Sequence, residues 1–132
     1  PLSGYLNLAL ELHNSSSLHG EAFNFGPTDT QNRKVIELVS SMTTYWDRVK
    51  WRDASKEHDG PYESGLLKLN CDKALHFLDW RPTWDFDRTV KETTLWYKNY
   101  YSDKNLNVLE YTSNQISEFE KSARKKEISW SN

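Results

Sequence analysis

At 132 residues the chain is long enough for one domain, or for part of one. Its 17 basic and 19 acidic side chains leave a net charge of −2, which removes the electrostatic footprint of a nucleic-acid or anionic-membrane binder. A single cysteine, Cys71, excludes an internal disulfide framework and fits a reducing, cytoplasmic setting; neither a signal-peptide pattern nor an apolar run of membrane-span length stands out.

Pro1 is followed at once by a helical pattern over residues 2–13, with Leu2, Tyr5, Leu6, Ala9 and Leu10 on one face. Neither a capping residue nor a Met precedes it, so a segment cut from a longer protein is expected. HNSSSLHG reads as a polar loop, and its Asn14-Ser15-Ser16 triplet as loop rather than glycosylation acceptor. Ala22 to Phe25 is a strand candidate closed by Gly26-Pro27. From Arg33 to Trp46 the spacing of Val35, Leu38, Val39, Met42 and Tyr45 predicts a second helix. Arg48 to Arg52 alternates apolar and charged residues as a half-buried strand would. Residues 53–65, DASKEHDGPYESG, form a polar loop of a length often tied to function.

Leu66 to Leu69 is the third strand candidate, and Asn70 can cap a short helix that Asp79 ends. Pro82 prevents continuation, and Asp85 can cap a long helix with Phe86, Val90, Thr93, Tyr97, Tyr100 and Tyr101 on one face. SDKNLN breaks it. Thr112 and Gln115 have capping-box spacing for a last helix with a thin stripe of Ile116, Phe119 and Ala123, ending in Arg124-Lys125-Lys126. The aromatic load, with six Trp, seven Tyr and five Phe, is expected to build the core and any domain contact.

Chemistry is sparse. His13, His19, His58, His76 and Cys71 make no zinc spacing, and no metal site is expected. There is no nucleophile elbow, no glycine-rich phosphate cradle, and no obvious partner for Cys71. Glu57 with Asp59 and Asp85 with Asp87 are explained by solvation and capping. What remains is the 53–65 loop, where His58, Asp59, Tyr62 and Glu63 can hydrogen-bond a polar ligand or simply face solvent.

The run LLKLNCDKALHFLDWRPTWDFDRTVKETTLWY, residues 66–97, resembles the C-terminal part of extended short-chain dehydrogenases that act on nucleotide sugars. The landmarks are Asn70, the Lys73-Ala74 pair, the Leu78-x-Trp80-x-Pro82 corner and Trp96-Tyr97, with GEAFNFGP before them. PLSGYLNLA, GEAFNFGP and LLKLNCDKA are similar in particular to the 4,6-dehydratases of CDP-glucose. The resemblance covers essentially the whole chain. It implies an α/β protein (α+β within these residues), with short strands and about five helices. Residues 1–132 would be the C-terminal substrate-binding portion of an enzyme whose NAD-binding Rossmann domain lies outside this chain.

In such enzymes NAD takes hydride from C4 of the glucose, water leaves across C5 and C6, and the hydride returns to C6. The catalytic Tyr-x-x-x-Lys of the family lies well before Trp96-Tyr97, so Tyr100 with Lys104 is a chance match and these residues alone are expected not to catalyse. The resemblance places Glu63, Tyr62 and His58 against the nucleotide sugar; the family's Arg position falls near Gly60 and has no counterpart. Asp79 stands where the family has Gly, and a left-handed backbone is expected there. Away from the dinucleotide-binding sheet, the 22–27 strand would have an open edge and the first helix an uncovered face, so a homo-oligomer is expected. The alternatives are a stand-alone nucleotide-sugar-binding or interaction module, or part of a sister enzyme such as a GDP-mannose dehydratase or UDP-sugar epimerase.

Overall fold

The computed structural model describes residues 1–27, 33–54 and 69–131. It holds five helices: α1 (Leu2–Asn14), α2 (Val35–Tyr45), α3 (Asp72–Leu78), α4 (Phe86–Ser102) and α5 (Val108–Lys125), followed by a 3-10 turn at Ser129–Ser131. Among the described residues there is no strand, so the α/β expectation is corrected to an all-helical architecture.

The physical reason lies in what a strand requires. Extended backbone becomes a strand only when a neighbour pairs with it. Residues 21–27 keep the expected alternation: Phe25 is buried and Phe23 half-buried, while Ala22 and Asn24 face solvent. Among the described residues no ladder partner adjoins them, and they run as extended chain. Arg48–Arg52 is likewise no strand; the Val49 amide closes a turn onto Trp46 O instead. Residues 66–68 of the third candidate lie outside the described residues.

The helices expected at 2–13 and 33–46 form within a residue or two of those bounds. The burial of α1 is the reverse of the simple reading. Leu2, Leu6 and Leu10 are 76%, 73% and 57% exposed, and the inward face is Gly4, Asn7, Leu8 and Leu12. Gly4 is required because Phe25 lies across it; a Cβ there would sit 2.3 Å from the ring. Phe25 packs edge-on against Tyr5 (5.3 Å between centroids) and Trp80 (5.0 Å). Leu18, Phe25, Ala74, Leu78 and Trp80 make the buried cluster, with Leu8, Leu12, Phe23 and Trp130 around it.

A second unit packs α2 on α4 and α4 on α5. Asp85 caps α4 as expected, accepting from the Arg88 amide at 2.9 Å. α5 starts a turn earlier than its capping-box spacing suggests, with Asn107 accepting from Glu110 N. Thr112 and Gln115 sit inside the helix and tie it to α4. Trp96 Nε1 donates to Thr112 Oγ1 (2.9 Å), and Gln115 Nε2 donates to Glu92 O (3.0 Å).

Candidate functional site

The predicted ligand residues His58, Tyr62 and Glu63 lie outside the described residues. The structure does show the framework from which that segment departs, at Trp51–Ala54 on one side and Leu69–Cys71 on the other. The second side is the better built. Asn70 Oδ1 accepts from the Asp72 amide at 2.8 Å, so Asn70 satisfies an orphan donor at the start of α3. Its Nδ2 donates to Asp72 Oδ2 at 3.0 Å. The expected capping role of Asn70 is thus met, from one residue outside the cap position, which Cys71 occupies.

The extended Phe23–Gly26 segment runs beside this end of α3. Asn24 Nδ2 donates to Asn70 O at 3.2 Å. Gly26 faces the same end: a Cβ there would make ordinary contacts with Leu69 Cδ1 at 3.4 Å and Cys71 Sγ at 3.7 Å. Lys73 Nζ pairs with Glu21 and stands 4.9 Å from the Phe23 ring centroid. The hydrogen bond from Lys73, and then its charge, hold the Glu21 carboxyl below the usual carboxylate range. Asn24, Asn70, Asp72 and Lys73 thereby gather amide, carboxylate and ammonium groups at one end of α3. The Lys73–Glu21 pair spans 52 positions in sequence, and no local spacing announces it.

The opposite end of α3 is the Leu78-x-Trp80-x-Pro82 corner. Asp79 adopts φ 44° and ψ 31°, the left-handed conformation expected at this position. Trp80 is 2% exposed and donates through Nε1 to Ser3 Oγ at 3.1 Å. Asn7 Nδ2 donates to Leu78 O at 3.1 Å, satisfying a carbonyl that the helix end leaves open. α1 and the corner thus fix α3 from behind.

Among the described residues no three His, Cys, Asp or Glu side chains could hold a metal ion, and no helix is long and apolar enough to cross a membrane. The described glycines, Gly4, Gly20 and Gly26, are scattered and form no dinucleotide cradle.

No known family model matches the chain. Over 99 residues, 74% of this chain, it is 36% identical to CDP-glucose 4,6-dehydratase of Salmonella typhimurium, in the C-terminal part of that protein. The match covers 27% of the relative, so this chain spans about a quarter of its length.

Proposed function

We propose that this chain is the nucleotide-sugar-binding, C-terminal part of an NAD-dependent CDP-glucose 4,6-dehydratase, which converts CDP-glucose to CDP-4-keto-6-deoxyglucose and water. The observation that carries the reading is the 36% identity over 99 residues to the C-terminal part of such an enzyme. In it NAD belongs to an N-terminal Rossmann domain, and the chain by itself does not catalyse. Glu63, Tyr62 and His58, within the 53–65 segment that precedes Leu69–Cys71 in sequence, contact the nucleotide sugar. The built end of α3 supports this, because it gives that segment a fixed point of departure.

The outer face of α1 supports the same reading. Leu2, Leu6 and Leu10 line a groove of about 620 Å³ whose other wall is Ile116, Phe119 and Trp130. A face this apolar is costly in water. The N-terminal domain covers it in the whole enzyme, and a second copy covers it when the 132 residues stand alone.

The test is a calorimetric titration of the chain with CDP, GDP, UDP and NAD. Binding selective for CDP and weakened by Glu63→Ala is expected. Tighter binding of GDP or UDP would move the chain to a sister enzyme. Binding of NAD in place of CDP would overturn the assignment.

A further inference from the structure

Two helices of this chain end in left-handed residues that are not glycine, and the two ends are joined. α3 ends at Asp79 (φ 44°) and α5 at Glu127 (φ 51°). At α5 the Ile128 amide donates to Ala123 O (3.1 Å) and the Glu127 amide to Arg124 O (3.0 Å), a Schellman pairing normally built on glycine. A side chain in this conformation persists only where its surroundings hold it.

The surroundings are mutual. Ser129 Oγ donates to Asp79 O at 3.2 Å, and Lys126 Nζ donates to Thr83 O. These hydrogen bonds cross 50 and 43 positions of sequence. The first gives a partner to the carbonyl at the end of α3, where the helix leaves such groups open, and the second holds a carbonyl in the turn between α3 and α4. Behind them Ile128 is buried, and Trp130 stacks on Phe119 at 5.7 Å and packs on the central cluster. Thr83 itself is 1% exposed.

We propose that the C-terminal turn, Lys126 to Ser131, is a clamp on the Asp79–Thr83 corner, and that it sets the position of α3 through Lys126, Ser129 and Trp130. Lys126 and Ser129 are positioning residues: they bond backbone carbonyls of the corner. The inference goes beyond the nucleotide-sugar reading and does not need it.

Hydrogen exchange on the full 132-residue chain tests it without any ligand. In the Lys126→Met/Ser129→Ala variant, amides of α3 and of residues 79–83 should exchange about tenfold faster, the effect expected from removing two hydrogen bonds. Amides of α2 and of the C-terminal half of α4, which meets the end of α2 at Lys98 and Tyr101 away from the corner, should keep their rates. Lys126→Arg/Ser129→Thr retains both donors and should restore protection. Unchanged exchange over residues 72–83, or an equal rise in α2 and the C-terminal half of α4, would overturn the clamp. Because CDP plays no part, failure here is distinct from failure of the functional assignment.

Discussion

Replacing Asp79 separates backbone conformation from every other property of the corner. At φ 44° a Cβ crowds the following carbonyl, at a cost of about 1–2 kcal/mol for an ordinary L-residue. Aspartate suffers less, since short polar side chains bond locally in this region. Glycine removes the crowding but costs roughly 0.5–1 kcal/mol in unfolded-state freedom. It also removes the salt bridge from Arg81 to the Asp79 carboxylate, which is 3.2 Å long between side chains 66% and 59% exposed. Such surface pairs contribute about 0–1 kcal/mol. Asp79→Gly should therefore be near neutral to about 0.5 kcal/mol stabilising. Asp79→Ala retains the crowding, removes the local bond, and should destabilise by about 1 kcal/mol. The expected order of stability is Asp79→Gly, then the native chain, then Asp79→Ala, with about 1–2 kcal/mol between its ends. Urea or thermal unfolding followed by circular dichroism measures it, at roughly 4 °C per kcal/mol for a domain this size. Equal stability of Asp79→Ala and Asp79→Gly would show that the left-handed turn is not a source of strain.

Gly4→Ala puts a Cβ 2.3 Å from the Phe25 ring, and the resulting overpacking, about 1–3 kcal/mol, should outweigh the roughly 1 kcal/mol that Ala adds to a helix. A rise in unfolding midpoint would contradict this. Glu21, Glu37 and Glu118 are each held below the ordinary value of 4.5, through hydrogen bonds from Lys73, the Lys34 backbone and Lys121 respectively. The unfolded state then binds more protons, so their contribution is complete above pH 4.5 and is lost as pH falls through the lowered folded values. Each is fully exposed, so the decline should be shallow; a midpoint that climbs from about pH 5 to about pH 3 would refute it. The exposed α1 face predicts concentration-dependent association in light scattering, reduced by Leu6→Glu. A concentration-independent monomer would count against the uncovered-face account.

Much of the fold is legible in the sequence because it is local. Helical spacing locates α1, α2 and α4, and Asp79 marks the end of α3, whose left-handed backbone the family resemblance implies. The strand expectation fails because alternation records which side chains turn inward, not whether a neighbour pairs: Phe23 and Phe25 alternate as a strand would, yet among the described residues they lie beside no ladder. The spacing of α1 misleads for a related reason. Its wide apolar stripe faces outward, and a narrower face of Gly4, Asn7, Leu8 and Leu12 packs inward, a choice fixed by Phe25 and Trp80 far along the chain. Thr112 and Gln115 mimic a cap but serve α4, since Asn107 already satisfies the first amides of α5. At the candidate site, Asn70 is visible as a helix-start residue, whereas Glu21 with Lys73 is not, because only the tertiary fold brings them together.

The most direct test of the central claim is a chimera. The C-terminal segment of the Salmonella typhimurium CDP-glucose 4,6-dehydratase that matches this chain would be replaced by the matching 99 residues, and dehydration of CDP-glucose measured against UDP-glucose and GDP-mannose. Turnover of CDP-glucose in preference to the others, abolished by Glu63→Ala, is the expected result. A folded chimera that leaves CDP-glucose unchanged would contradict the account.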